Sequence, residues 1–464
     1  MEEVTGFINY DNLSTLFKLG TLVFIDEMDQ PRLFKLLSYA YIPENNPDPC
    51  LRLDGEYVDY NGVNFGRRLV HFRIPKFVGD LAISGLTALP LHLHPDPEGI
   101  TKRLLERGRR WESHAGRKFC EYRGIGIDAD GSRSSIDGRV MVDAHTFFRI
   151  NADTAFVVCP TFLTPLTDEQ LLLAPPTVHG FSFNTKGFLE LHVDNLSPID
   201  WNTGCFDRLV LPNHQKELVQ ALVAEHAQLS DQEHEFKDIV KGKGQGLILL
   251  LHGPSGVGKT LTAECIAEFS QRPLYTVSPW ELGTTPAELD KRLSWTLDIA
   301  ETWNAVLLID DADVFLEHRL PHDTEHASLV SVFLRALEHY SGVLFMTTNG
   351  PVSTFDGAFK SCIHVPLRYG NPFVASRLKM WKNFLDGVRG VDVDVDEQGF
   401  RRLAAKPLNG RQIRNVARTA TSLAAFRKRK LDLKQLEQVV DIQLAFVEEF
   451  DAEFGEDADM GFEG

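Results

Sequence analysis

The stretch "GPSGVGKT" at residues 253–260 sets three glycines, a lysine and a threonine at the spacing G-x-x-x-x-G-K-[ST]. Glycines let a loop turn so tightly that successive backbone N–H groups converge on one point, and a main chain holds phosphate oxygens in that way. The lysine adds a positive charge for the outer phosphates, and the threonine hydroxyl is a hard oxygen ligand suited to Mg²⁺. The predicted chemistry is nucleoside triphosphate binding. Its cradle is Gly253, Pro254, Ser255, Gly256, Val257, Gly258, Lys259, Thr260 and Leu261, with Lys259 between the β- and γ-phosphates.

Three later stretches supply complementary groups in a fitting order. "AVLLIDDAD" (305–313) is an aliphatic run that ends on Asp310, suited to hold Mg²⁺ through water, with Asp311 beside it. "VLFMTTN" (343–349) ends in a polar triplet whose last member, Asn349, is placed to orient an attacking water. "LNGRQIRNVARTA" (408–420) puts Arg411 at the start of a helix that can fold back on the γ-phosphate. The catalytic candidates are thus Asp311, Asn349 and Arg411; the metal candidates are Thr260 and Asp310; the ligands are ATP and Mg²⁺.

Such groups must be mounted on rigid elements. "LILLL" (247–251) reads as a buried strand entering the glycine loop, and "KTLTAE" opens the helix that leaves it, adding its positive N-terminal end. Beyond it, aliphatic strands alternate with amphipathic helical stretches, the pattern of βαβ units around a parallel sheet, and from about 372 the chain reads as helical. Before about 235 it is made of short runs such as "TLVFI" (21–25), "RVMVDAHTFF" (139–148) and "TAFVVC" (154–159), parted by Gly, Pro, Asn and Asp. The expected fold class is α/β, a P-loop NTPase parallel sheet with a C-terminal helical lid, preceded by a β-rich (α+β) N-terminal domain. The expected bounds are 1–185 for that domain, 186–237 for a connecting segment ending in the linker "GKGQG", 238–370 for the nucleotide core, 371–447 for the lid and 448–464 for an acidic disordered tail.

Composition narrows the alternatives. The 464 residues are 43% hydrophobic and 24% charged, as in an ordinary water-soluble chain of two or three domains. The longest aliphatic run is five residues, far below the roughly 18 of a membrane span, and the acidic N-terminus lacks the features of a secretory signal. Six cysteines without a CxxC pair fit reduced thiols and give no zinc spacing. These features predict an intracellular, most simply cytoplasmic, protein. The net charge of −17 argues against nucleic acid as a general partner, and residues 448–463 supply eight of its acids with no base.

From Asp238 onward the chain resembles AAA-type ATPases, carried by "GLILLLHGPSGVGKTLTAE", "WNAVLLIDDADVFLE", "LVSVFLRALEHYSGVLFMTTN" and "TFDGAFKSCIHVPL". Through "TLVFIDE", "GRVMVD", "LLLAPPTVHGFSFNTKGF" and "FDRLVLP" it resembles, more narrowly, fungal AAA proteins with an N-terminal domain of unknown function. The resemblance implies ATP hydrolysis with Mg²⁺, a homo-oligomeric ring such as a hexamer, and a protein client engaged through the N-terminal domain. It also shows departures. Asp311 stands where the family has a water-polarising glutamate, and Cys362 where it has the arginine finger. Gly350 and the pair His326-Ala327 replace positions where relatives commonly carry Arg and Arg-Asn. In the pore-loop segment "WELG", Trp280 falls one residue early and is expected to be packed.

Other stretches have simpler readings. "HDTEH" (322–326) fits H-x-x-E-H without a third zinc ligand, and "HLHP" (92–95) reads as a strand end. "RGRRWESHAGRKFCEYRG" (107–124) has a composition that could bind single-stranded nucleic acid, but reads more simply as a half-exposed sheet face.

Overall fold

In a computed structural model, residues 6–27, 30–43, 48–229, 246–316, 324–386 and 392–459 are described. They fall into two units, Met1–Asp200 and Trp201–Gly464. The linker "GKGQG" is outside the described residues apart from Gly246, and of "HDTEH" His322 is outside them.

Among the described residues the first unit holds two large antiparallel sheets and a two-stranded one that pairs Phe7–Asn9 with Asp80–Ala82. In the first, the strands Leu22–Glu27, Gln30–Ile42, Cys50–Tyr60 and Phe65–Pro75 follow one another as a meander, edged by Ala88–Pro90 and Thr161–Phe162. Successive residues of a strand point to opposite faces, so Leu51, Leu53, Tyr57 and Asp59 share one side. Leu51 and Leu53 are buried with Val23, Ile25, Phe34 and Ile74. Further along, the same side turns polar. The second sheet runs Gly187–His192, Thr177–Ser182, Arg133–Val142, Lys118–Ile127, Leu196–Ser197, and the Gly187–His192 strand also pairs with Lys118–Ile127, closing a small barrel around Tyr122, Ile136, Val140, Leu189 and Leu191. Sheet pairing therefore continues past residue 185, the expected bound of this domain, because the strand beginning at Gly187 takes its hydrogen bonds from 177–182.

Two local expectations differ. "RVMVDAHTFF" is a strand only to Val142; Asp143 then caps the helix Ala144–Ile150, its Oδ1 accepting from the Thr146 N–H at 2.9 Å. "TAFVVC" forms no strand. Its Val158 lies against Gly66, where an added Cβ would come within 2.5 Å, so this β-branched run serves as packing rather than as a ladder. The basic stretch 107–124 divides between the helix Pro97–Ser113, with Arg107 and Trp111 buried, and the strand Lys118–Ile127.

In the second unit, five parallel strands stand in the order Leu274–Val277, Val306–Ile309, Val343–Thr348, Leu247–His252, Val365–Arg368. Such a sheet is covered on both faces, and its central strands are continuous aliphatic runs with Leu249, Leu251, Leu308 and Phe345 fully buried. Phe206, Leu209, Val219 and Val223, from the expected connecting segment, join the same core. The helices Val374–Leu385, Glu397–Ala405 and Gly410–Phe426 and the start of Leu433–Asp459 enclose a separate core around Trp381, Leu403, Ile413 and Val416. The last helix continues to Asp459, into the stretch expected to be a disordered tail; its Glu and Ala residues are good helix formers.

Candidate functional site

The strand Leu247–His252 ends at the carboxyl edge of the sheet, where the chain turns through Gly253 (φ +140°), Gly256 (+76°) and Gly258 (+106°) before the helix Lys259–Phe269. A Cβ on Gly253 would meet the Tyr369 carbonyl oxygen at 2.0 Å, so only glycine fits there. Lys259 is buried and its Nζ donates to the carbonyls of Gly253 and Pro254, both at 2.7 Å, and to Asn349 Oδ1 at 2.8 Å. Burial lowers its pKa, opposed by the charges of Asp311, Asp310 and Asp313.

The neighbouring strand tips bring the predicted acids to this lysine. Asp310 Oδ1 accepts from Thr260 Oγ1 at 3.0 Å and from Thr347 Oγ1 at 2.6 Å, and Thr347 Oγ1 also accepts from the Asp311 N–H at 2.9 Å. Asp311 has φ +56°, a left-handed conformation that Asp tolerates better than most residues. Its Oδ1 accepts from Asn349 Nδ2 at 2.8 Å. Asn349 is thus shared, its oxygen by Lys259 and its nitrogen by Asp311. Thr260 and Asp310 offer a hydroxyl and a carboxylate close together, a hard oxygen pair that fits Mg²⁺ completed by phosphate and water. Among the described residues no cluster of three His, Cys, Asp or Glu forms a protein-only metal site.

The helical region closes on the loop from the other side. Asn409 caps the helix Gly410–Phe426, its Oδ1 accepting from the Gln412 N–H at 2.9 Å, while its Nδ2 donates to the Ser255 carbonyl at 3.4 Å. Arg411 donates from its backbone N–H to Gly256 O at 3.1 Å and from Nη1 to Ser255 Oγ at 3.2 Å. All the predicted groups around Lys259 therefore meet in one place: Thr260, Asp310, Asp311, Asn349 and Arg411.

Three residues of this constellation are absent from the sequence reading. Thr347 is the bridge just described. Asp313 accepts from the hydroxyl of Thr348 and from the N–H groups of Asn349 (3.2 Å) and Gly350 (2.9 Å), fixing the strand tip. Asn409 is the third. The polar triplet at 347–349 and the third acid of "DDAD" were the available signals.

At the departing positions, Cys362 is partly buried and its Sγ lies 4.0 Å from its neighbour Ser361 Oγ. Trp280 is not packed: it is 75% exposed. Ser278 and Glu281 form a capping box that opens the short helix Pro279–Leu282, and Leu282 takes the buried side. "HLHP" forms a short helical turn after the strand Ala88–Pro90, with His94 Nδ1 accepting from the Asp96 N–H at 2.9 Å.

Residues 249–368 match the family model described as "ATPase family associated with various cellular activities (AAA)", and residues 2–95 match a domain of unknown function, DUF7025. A mitochondrial Lon protease homolog of Yarrowia lipolytica is 31% identical over 191 residues, 35% of this chain and 16% of that protein. The ATPase family AAA domain-containing protein 3C of Homo sapiens is 26% identical over 155 residues, covering 32% and 38%. The ATP-dependent zinc metalloprotease FtsH of Kosmotoga olearia is 27% identical over 219 residues, covering 42% and 32%. The chain spans less than half the length of each of these relatives. The crystal structure of the FIGL-1 AAA domain aligns with a TM-score of 0.41 at 19% identity, over 55% of this chain and 91% of that one.

Proposed function

The chain belongs to the AAA ATPase family, with a domain of unknown function ahead of its AAA domain, and from that premise we propose that it binds ATP with Mg²⁺, hydrolyses it slowly and uses the cycle to remodel a protein partner. The observation that carries this reading is the continuous chain Lys259–Asn349–Asp311 beside the Thr260–Asp310–Thr347 cluster. Residues 253–261 hold the phosphates, and Lys259 exchanges its carbonyl partners for phosphate oxygens. Thr260 and Asp310 hold Mg²⁺, which when bound neutralises charge on the phosphates. Asp311 and Asn349 orient water, and Arg411 reports the γ-phosphate to the lid through its contacts with Ser255 and Gly256.

Slow turnover follows from two departures. Asp311 is about 1.5 Å shorter than glutamate, and a misplacement of about 1 Å can cost on the order of 100-fold. Cys362 brings no charge where an arginine finger is worth about 10³–10⁵ in rate. If these losses are complete, the chain is an ATP-binding switch in which nucleotide draws the lid onto the loop. The exposed Trp280 supports contact with an extended polypeptide, and a homo-oligomeric ring inside the cell, with a client held by the N-terminal domain, completes the proposal.

The test is steady-state ATP hydrolysis by the wild type, Lys259→Ala, Asp311→Glu, Cys362→Arg and the double variant, with sizing in the presence and absence of ATP. Slow wild-type turnover that vanishes in Lys259→Ala and rises in Asp311→Glu supports the proposal. A wild type that binds ATP yet is silent, with activity appearing only in the double variant, replaces it with the switch. Failure to bind ATP at all overturns both.

A further inference from the structure

A cavity of about 950 Å³ in the described part of the N-terminal unit lies between polar faces of its two large sheets. This is within the range of small-molecule sites, about 300–1,000 Å³. One wall continues the side of the first sheet that buries Leu51 and Leu53; past them it carries Arg32, Tyr57, Asp59 and Arg68 instead of aliphatic residues. The other wall is the outer face of the small barrel. There Thr177 pairs with His192 and His179 with Glu190 across adjacent strands, so four polar side chains form a square on one surface. A sheet interior that turns polar opposite a second polar face suits a bound ligand rather than a packed core.

The charges indicate what. Four arginines, Arg32, Arg68, Arg123 and Arg133, line the cavity against two carboxylates, Asp59 and Glu190. Asp59 is already engaged, accepting from Arg68 Nη1 at 2.9 Å, Tyr57 OH at 3.1 Å and the Tyr60 N–H at 2.8 Å. Glu190 lines the cavity and is itself exposed; desolvation and the nearby Asp59 raise its pKa. Just behind the wall Arg107 is only 3% exposed, its Nε has no partner, and its charge is felt by His192. His179 and His192 each have a buried Nδ1 without a partner, and burial keeps both imidazoles neutral near pH 7. In a chain of net charge −17 this is a local concentration of cations, with Arg68 paired to Asp59 and Arg123 to Asp137 at 3.2 Å, beside three buried nitrogens, on Arg107, His179 and His192, that have no partner. Phe65, Trp111, Ile125 and Ile127 add apolar surface to the same cavity.

We propose that this cavity binds a small organic anion, a carboxylate or phosphate carried on an apolar or aromatic body. Arginine forks take the anionic group, the strand pair 177–192 and 179–190 reads its polar substituents, and the Trp111 side holds the body. The site is separate from the nucleotide loop and gives the N-terminal domain a ligand of its own.

The test is calorimetric titration of the full chain carrying Lys259→Ala, which removes phosphate binding at the nucleotide loop, with phenyl phosphate, benzoate and neutral benzyl alcohol. Saturable binding of phenyl phosphate or benzoate but not of benzyl alcohol is expected, the tighter of the two naming the anionic group. Arg32→Ala or Arg133→Ala should weaken it about tenfold or more, the loss of one charge-assisted pair. Absence of binding at millimolar concentration, equal binding of benzyl alcohol, or affinity unchanged in both variants overturns the proposal. If Arg32→Ala lowers the melting midpoint, the exposed Arg133 decides.

Discussion

Replacing Thr347 by valine keeps the shape of a fully buried side chain and deletes one oxygen. That oxygen donates to Asp310 at 2.6 Å and accepts from the Asp311 backbone at 2.9 Å. A hydrogen bond to a charged group contributes about 1.5–3 kcal/mol, and the orphaned N–H of Asp311 adds about 1 kcal/mol or more. The loss falls on the carboxylate proposed to hold Mg²⁺ and leaves the lysine, whose bonds go to Gly253, Pro254 and Asn349. Thr347→Val should therefore weaken ATP binding in the presence of Mg²⁺ by about 10- to 100-fold, while binding in EDTA stays within about twofold of wild type. Thr347→Ser, which keeps the oxygen, should restore most of the affinity. The assay is calorimetric titration of ATP under both conditions. Equal losses with and without Mg²⁺, or no loss in either, would refute the assignment of Thr347 and Asp310 to the metal side of the site.

Further expectations concern stability. Gly253→Ala forces a Cβ to within 2.0 Å of the Tyr369 carbonyl at φ +140°; strain and overpacking of about 3 kcal/mol should lower the melting midpoint of the second unit by roughly 6–12 °C. Tyr369→Phe removes the buried 2.6 Å bond between Tyr369 and Thr262, but Thr262 still donates to Gly258 O at 3.0 Å; a loss of about 1 kcal/mol in denaturant unfolding is expected. His179 has a folded-state pKa lowered from 6.5 to about 4, by burial first and Arg68 second. The unfolded chain takes up a proton below pH 6.5 that the folded one refuses, so His179 leaves stability intact above 6.5 and erodes it as pH falls toward 4. His179→Phe should flatten this part of the unfolding profile.

The site was legible where its logic is local in the chain. Spacing alone gives the loop 253–260, because glycines, lysine and threonine act within one turn. Asp310 and Asn349 could be found because each ends an aliphatic run. Thr347 and Asp313 stand in the polar triplet and in "DDAD", but their roles were not legible there, since they depend on the register in which Ile309 lies beside Met346. Trp280 was misjudged because a capping box, not an amphipathic pattern, sets which side of a four-residue helix is buried. "TAFVVC" has strong β-propensity and still makes no ladder, since the place of Val158 is fixed by a glycine more than ninety residues earlier. The polar cavity wall was hidden for a related reason: each strand looks ordinary alone, and only the pairing of 177 with 192 and 179 with 190 assembles it.

Asn409 uses the two ends of one amide for different purposes. Its oxygen starts the helix Gly410–Phe426, and its nitrogen reaches the Ser255 carbonyl at a long 3.4 Å. The first bond is internal to the lid and survives any rotation of it. The second, weaker bond joins the lid to the loop, as do those of Arg411 to Gly256 O and Ser255 Oγ, and these are the bonds that movement would break. Formation of the lid helix and its docking thus rest on different bonds: were the lid released, the helix would stay formed and its return would require no refolding. Serine would keep the helix start but is too short to span to the loop; aspartate would keep the start and set an oxygen against the Ser255 carbonyl. Asparagine is the side chain that can both begin the helix and let it go.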